Sequence, residues 1–435
     1  MASPVNPPRG MRDFLPADKA RREHALGIIK GVYRAHGFDE IETPMVEDYD
    51  RLHAGLGGDN EKLSFSILKR GIRPEALAAA AEAGNAELLA DLGLRFDLTV
   101  PLTRFYASHR AELPPVFRAL QIAPVWRAER PQKGRYRQFV QADIDIIGEA
   151  GVLAEIELIT ATSQALAALG LEGCVIRVND RRVLYGMLEH AGFVSGDFDR
   201  ALITVDKLDK IGASGVVDEL RELGDVAAER VGEVLAAVEP QLASGIDLSA
   251  DAIAAALPGI DASETAAAGI ANLVSLGEAL AGALPEGVTV RFDPTLVRGM
   301  GYYTGTIFEI AHPGSGSSVG GGGRYDGMVG RFLGQDVPAV GFSIGFERIV
   351  DLIEVTAADG PEAVALVYDA DVSHADLVAL KRQLVARGHR VRLEKRQKNM
   401  KALLTRVFGE GFTSIANMRA GVTSADELEI RPLNG

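Results

Sequence analysis

Apolar residues at three- and four-residue steps, Leu26, Ile29, Val32 and Tyr33, predict an amphipathic helix over residues 17–36, between Pro16 and Gly37. Residues 38–43 predict a strand stopped by Pro44, and the Ala- and Leu-rich stretch 74–92 predicts a helix. Strands are then predicted at 93–100, 117–130 and 136–148, followed by a helix at 153–169. From about 181 to 285 helical periodicity replaces alternation and aromatics nearly vanish, the texture of a helical insertion. Strand signals return at 288–297 and 304–310. A stretch with eight Gly in 17 residues, 314–330, predicts a loop, and an apolar run follows at 339–353. Beyond a linker at 356–361, strands at 363–368, 389–394 and 412–417 alternate with helices at 374–387 and 398–408, which predicts a small parallel or mixed α/β domain. The chain thus divides into a core at 1–180, an insertion at 181–285, a second part of the core at 286–356 and a C-terminal domain at 361–435. No short-period repeat points to a solenoid.

The alternation also sorts polar groups onto faces. In the third predicted strand Phe139, Gln141, Asp143 and Asp145 share one face, against Val140, Ala142, Ile144 and Ile146. In the first, Arg95, Asp97 and Thr99 oppose Leu94, Phe96, Leu98 and Val100; in the second, Arg127 and Glu129 oppose Trp126 and Ala128. Any one of these alone reads better as the wet face of an antiparallel sheet. Together they carry no Lys and set short acids near Arg, a polar basin suited to a zwitterionic, phosphorylated ligand.

The next stretch, Arg127 to Arg137, holds five basic residues and one acid, with Tyr136 inside it and Phe139 just beyond. Cations beside stacking rings suit phosphates and a base; a solvated hairpin turn is the plainer alternative. In Arg298-Gly299-Met300-Gly301-Tyr302-Tyr303, glycines permit a bend that aims Arg298 and Tyr303 into a site, or form a bulge with packed tyrosines. The run Gly320-Gly321-Gly322-Gly323-Arg324-Tyr325-Asp326-Gly327 lacks the Gly-Lys-Ser/Thr ending of a Walker loop and the strand–turn–helix frame of a dinucleotide fingerprint. It reads as a tight ligand-approach loop more than as a flexible linker.

Composition narrows the classes. With 47% hydrophobic and 24% charged residues over 435 positions, the chain is an ordinary globular protein and not a disordered one. The single Cys174 excludes a disulfide framework and zinc ribbons, and fits a reducing compartment. No His-x-x-x-His pair with nearby acids supplies metal-ligand spacing, and no Gly-x-Ser-x-Gly elbow is present. No uncharged run reaches the roughly 18 residues of a membrane span, and residues 1–16 hold no signal-peptide core, so a cytoplasmic protein without membrane contact is expected. The net charge of −14 argues against a general nucleic-acid sponge. Yet residues 362–435 carry 12 Lys/Arg against 9 Asp/Glu, a local +3 beside −17 on the rest, so local nucleic-acid patches are compatible with it.

These segments together resemble the histidyl-tRNA synthetases, within the class II aminoacyl-tRNA synthetases, over nearly the whole chain. Arg9-Gly10-Met11-Arg12-Asp13-Phe14-Leu15-Pro16 and the Glu42-Thr43-Pro44 strand end look like the first class II motif, the dimer interface in that family. Trp126 to Glu129, continuing through Arg137 to Phe139, looks like the second motif, and Gly341 to Arg348 like the third. Arg298 to Tyr303 and Gly321 to Gly327 are similar to the two histidine-specific motifs.

The resemblance implies an α+β fold: a class II antiparallel sheet flanked by helices, with the helical insertion and a small C-terminal α/β domain of anticodon-binding type. It also implies ATP and Mg²⁺ as cofactors, L-histidine and tRNA(His) as partners, and a homodimer. By position, Asp97, Thr99 and Gln141 would hold the histidine α-amino group. Asp145 and Tyr303, with Tyr302 beside them, would line the imidazole site. Arg127 would meet the α-phosphate and the substrate carboxylate, and Arg298 the α-phosphate; these two would be the catalytic residues. Phe139 and Arg348 would sandwich the adenine, Glu129 its amino edge, and Arg135 the terminal phosphates. Asp97 and Asp145 stand where the common bacterial branch has Glu, and Arg95 to Thr99 looks closer to the archaeal and eukaryotic branch. Gly301 sits where an acid is usual, and the segment after Ile415 is short for the family. Two other readings share the fold: a regulatory subunit of ATP phosphoribosyltransferase, which the intact Arg298 to Tyr303 segment and the C-terminal domain disfavour, and a synthetase-like enzyme with a non-tRNA acceptor.

Overall fold

The computed structural model describes residues 5–53, 63–131, 134–298, 301–353 and 362–433. The chain forms two compact units, one from the residues up to Asp13 together with His24–Ile353, the other from Phe14–Glu23 and the described residues from Glu362 on.

Among the described residues eleven strands belong to the first unit: β1 (Asp39–Glu40), β2 (Val46–Asp48), β3 (Phe65–Leu68), β4 (Ala90–Leu94), β5 (Phe117–Trp126), β6 (Gln138–Ile147), β7 (Cys174–Asp180), β8 (Val288–Phe292), β9 (Thr306–Ala311), β10 (Gly320–Arg324) and β11 (Ala339–Gly345). Eight of them make the main sheet, in the order β1-β5-β6-β11-β10-β9-β7-β8. Its six central strands are antiparallel; β1 and β8 add parallel edges. A small sheet, β2-β4-β3, stands beside it.

Register decides what the sheet presents. One cross-strand row runs Gln121, Asp143, Ser343, Gly321, Glu309 and Arg177, from β5 to β7. The neighbouring row runs Asp145, Gly341, Gly323 and Ile307. Paired residues share a face, so the acids of β6 and the Glu and Arg of β9 and β7 flank a floor of glycine. The opposite face of β6 holds Ala142, Ile144 and Ile146, all fully buried. The helix Leu153–Ala168 covers the sheet there, against β6 and β11.

Four sequence expectations are corrected. The first predicted strand ends at Leu94, and a helix occupies Thr99–His109. Pro101 lacks an N–H and fits a helix's first turn, where Asp97 Oδ1 accepts the Val100 N–H at 3.1 Å. The 74–92 helix stops at Glu82, beyond which Gly84 adopts φ +61°, and β4 begins at Ala90. The second predicted strand ends at Trp126, leaving Arg127 and Glu129 in the following loop.

The glycine-dense segment differs most: Gly320–Arg324 is an interior strand, paired on both sides. Its glycines answer to crowding. A Cβ at Gly322 would lie 2.0 Å from the Gly341 carbonyl oxygen, and one at Gly323 would lie 2.7 Å from that of Thr306.

Between β7 and β8 the described elements are helical, among them Arg181–Ala191, Asp225–Ser244 and Glu264–Leu280. Asp180 and Ser263 cap the first and last of these through backbone N–H groups.

The second unit has a four-stranded sheet, β13-β12-β14-β15, of β12 (Ala363–Tyr368), β13 (Arg390–Lys395), β14 (Ser414–Met418) and β15 (Arg431–Pro432). β12 is parallel to both neighbours and is buried on both faces. Val364 and Leu366 pack with Leu377, Leu380 and Leu384 of one helix; Ala365 and Val367 pack with Leu403 and Val407 of the other. Among the described residues no helix is long and apolar enough to cross a membrane.

Candidate active site

A cavity of about 970 Å³ opens on the glycine-floored face of the main sheet. Every residue singled out from the sequence lines it. Asp97, Thr99, Gln141, Asp145, Tyr302 and Tyr303 stand on its wall, and so do Arg127, Glu129, Arg135, Phe139, Arg298 and Arg348. They arrive from separate elements: the first helical turn after β4, strand β6, the loop between β5 and β6, the segment before β9, and the turn after β11. Arg95 is the exception among the polar positions read on faces. It is buried away from the cavity and donates to the carbonyl oxygens of Thr43 (2.8 Å) and Pro124 (3.0 Å), a structural brace.

At one end three carboxyl groups are buried together: Asp97 (5% exposed), Asp143 (5%) and Asp145 (4%). None has an ion-pair partner among the described residues. Burial raises the pKa of Asp97 against the pull of the Val100 N–H and the Arg127 charge. Burial, then the charge of Asp145, holds Asp143 well above the ordinary carboxyl range. Burial also pushes Asp145 up to about 7; the Tyr325 hydroxyl, donating to its Oδ1 at 2.6 Å, works the other way, and the charge of Asp97 adds to the rise.

Gln141 Nε2 donates to Ser343 Oγ at 3.3 Å, yet Gln141 Oε1 and Asp143 Oδ1 are buried without a partner among the described residues. Such a cluster is costly when empty and favourable once a cation or an N–H donor enters it. Tyr302 stands between Tyr303, 4.7 Å between ring centres, and Tyr325, 6.2 Å and edge-on, and this trio walls the acids.

The rest of the cavity is cationic. Arg127 Nε donates to the Phe96 carbonyl at 2.9 Å, which fixes its guanidinium 5.1 Å from the Phe139 ring centre. Arg298 reaches Glu309 at 3.1 Å; Glu309 also pairs with Arg177, which holds Asp293 at 3.2 Å. Burial opposes the charge of Arg298, but Tyr303, Glu309 and Tyr302 more than offset this, so its proton is held more tightly than usual. Arg348 donates to the Ser318 carbonyl, and Arg135 lies 3.6 Å from Glu129.

The glycines let these groups close in. A Cβ at Gly341 would sit 2.0 Å from Asp145 Oδ1, and one at Gly321 would sit 2.6 Å from Arg298 Nη1. Asp143 and Tyr325 were not singled out as site residues from the sequence. The alternation had put Asp143 on the polar face, and the Arg-Tyr-Asp after the glycines was the available signal for Tyr325. Arg324 of that triplet points elsewhere, into a buried pair with Glu155 at 2.6 Å.

The family model for histidyl-tRNA synthetase matches residues 10–82 and 88–349. The chain is 65% identical over 435 residues to a histidine–tRNA ligase of Leifsonia xyli subsp. xyli, covering 100% of this chain and 99% of the relative. It is 41% identical over 428 residues to a probable histidine–tRNA ligase of Tropheryma whipplei, covering 94% of each. Among solved structures, a histidyl-tRNA synthetase from Nostoc sp. PCC 7120 superposes with a TM-score of 0.75 at 24% identity, over 99% of this chain and 95% of that one. An ATP phosphoribosyltransferase regulatory subunit/histidyl-tRNA synthetase from Bacillus halodurans C superposes at 0.76 and 22%, over 97% and 100%. Likeness at these identities concerns the fold alone. These relatives lend no support to an affinity with the archaeal and eukaryotic branch. With the family model spanning both halves of the cavity and a full-length relative at 65% identity, the chain belongs to the histidyl-tRNA synthetase family.

Proposed function

We propose that the protein activates L-histidine with ATP to histidyl-adenylate and transfers the histidyl group to the 3′ end of tRNA(His). The observation that carries this reading is the meeting, in one cavity, of three buried acids, without an ion-pair partner among the described residues, with fixed guanidinium groups. The acids suit an amino acid bearing a cation and an N–H donor; the guanidiniums suit its carboxylate and a nucleotide's phosphates.

Histidine enters at the acid end. Asp97, Thr99 and Gln141 hold the α-amino group, and Asp143 adds the fourth wall of that subsite. Asp145 accepts the imidazole N–H while Tyr303 and Tyr302 close around the ring; Tyr325 aims the Asp145 carboxylate. A site built to bond such an N–H rejects analogues lacking it by about 10⁴-fold.

ATP lies across the cationic end. Phe139 and Arg348 stack on the adenine, Glu129 reads its amino edge, and Arg135 meets the terminal phosphates. The histidine carboxylate attacks the α-phosphorus, the bond to the bridging oxygen breaks, and pyrophosphate leaves. Two anions must approach, so Arg127 and Arg298 stabilise the charge that builds on the α-phosphoryl oxygens. A ribose hydroxyl of the tRNA then attacks the carbonyl carbon of the adenylate and AMP departs. No enzyme nucleophile is needed; positioning carries most of the rate.

Among the described residues no group of three His, Cys, Asp or Glu could hold a metal ion. Mg²⁺ would be held chiefly by the nucleotide's own phosphates, with Glu309 the carboxylate on that wall, and would offset phosphate charge. The family resemblance of residues 9–16 and 42–44 supports a homodimer. The residues present also suit a cytoplasmic enzyme that meets no membrane. The small C-terminal unit, with its local +3, supports contact with the anticodon arm.

The regulatory and non-tRNA readings have no observation in their favour, because the likeness to the Bacillus protein concerns the fold alone. Purified protein with Mg²⁺ exchanges labelled pyrophosphate into ATP when given histidine on this account. Silence under those conditions points to the regulatory reading.

A further inference from the structure

The N-terminal segment touches the nucleotide half of the cavity at three points. First, the Gly10 carbonyl accepts the Arg137 N–H at 2.8 Å. Gly10 has φ +83°, and a Cβ there would meet Pro131 Cγ at 2.8 Å and Arg137 Cγ at 2.9 Å, so the segment lies tight against the loop between β5 and β6. Second, the Arg12 guanidinium sits 3.5 Å from the centre of the Tyr136 ring in that loop. Third, Arg12 pairs with Glu347, which is 5% exposed and whose Oε1 accepts the Val140 N–H of β6 at 3.3 Å.

We propose that Arg12 is a positioning residue for the nucleotide half of the cavity: it clamps the loop that bears Arg135 and leads into Phe139 to the turn that bears Arg348. This rests on the adenylate-forming reading above. Phe139 and Arg348 face one another across the adenine on that reading, and they come from different elements, one from the start of β6 and the other from the turn after β11. Loops are mobile unless tied down, and a bound geometry tolerates displacements of only about 0.5 Å. Arg12 ties both sides at once, because a planar guanidinium stacks on a ring by its face while its edge pairs with a carboxylate. Lysine, a compact point charge, does not combine the two.

The test uses the full-length protein. Arg12→Lys keeps a positive charge opposite Glu347, so the fold is retained, while the flat stack on Tyr136 is lost. Its KM for ATP rises roughly tenfold, its affinity for histidine alone stays within about twofold, and its melting temperature and mass in solution stay at parental values. Arg12→Ala moves the same quantities in the same direction and further, and Tyr136→Leu reproduces the Arg12→Lys effect without adding to it in the double variant. Parental ATP kinetics in Arg12→Lys, equal losses for ATP and histidine, or a change of mass each overturns the assignment. ATP affinity, followed by titration calorimetry, reads the clamp even in a protein silent in pyrophosphate exchange, which separates this proposal from the catalytic reading.

Discussion

On the proposed function, Asp145 is the residue on which selectivity turns. Burial disfavours its charged form and pushes the carboxyl up to about 7. The unfolded chain releases that proton near 4, so between about 4 and 7 the folded protein binds more protons, and this group's contribution to stability falls as pH rises. Histidine capture needs the carboxylate, so kcat/KM for histidine climbs as pH rises through about 7 and then levels. Asp145→Asn binds histidine weakly and flattens that limb; a limb that survives the substitution belongs to the substrate or another group. Arg298→Ala lowers the rate of adenylate formation by roughly 10²-fold or more, with the melting temperature little changed, read by single-turnover kinetics; near-normal turnover removes Arg298 from the mechanism.

The residues on β6 were legible because a period of two is visible in the chain itself. Asp143 lay on the right face but went unassigned, and Tyr325 became recognisable only through its 2.6 Å bond to Asp145, a contact across 180 positions.

Among the elements, β10 is the instructive one. Glycine density reads as loop because glycine is flexible and poor at filling a strand. Here the same property is used in the middle of a sheet, where backbone carbonyls and side chains of the neighbouring segments occupy the space a Cβ would take. That crowding arises from tertiary structure and leaves no local trace. The misplaced strand at 93–100 has a different origin, since a run of alternating polar and apolar residues hid a helix start at Thr99. On β11 the crowding is testable: a Cβ at Gly341 falls on Asp145 Oδ1, so Gly341→Ala displaces the carboxylate. Its affinity for histidine falls by roughly tenfold or more while ATP affinity stays within about twofold. Equal losses, measured by calorimetry, indicate general damage to the sheet.

For the whole molecule, the proposed division of labour follows the distribution of charge. The chain carries −14, yet residues 362–435 carry +3, with Lys398 and Lys401 exposed. A phosphate backbone attracts such a patch in a salt-dependent way. Converting Lys398 and Lys401 to Glu raises the KM for tRNA and flattens its dependence on salt, whereas histidine-dependent pyrophosphate exchange is unaffected. A parallel fall in exchange contradicts a separate tRNA-binding role for this unit. The order of strands and helices in this unit was readable because β12 is buried on both faces and its neighbours alternate with amphipathic helices.

On the proposed function, one cavity joins histidine to a nucleotide and hands it to tRNA. The most direct measurement is the transfer of labelled histidine to tRNA(His) in a single turnover, started from enzyme preloaded with histidine and ATP. The expected product is histidine ester-linked to the tRNA 3′ end together with one equivalent of AMP, with no such product from Asp145→Ala or Arg298→Ala on the same time scale. Binding of histidine and ATP without release of pyrophosphate or labelling of tRNA contradicts it.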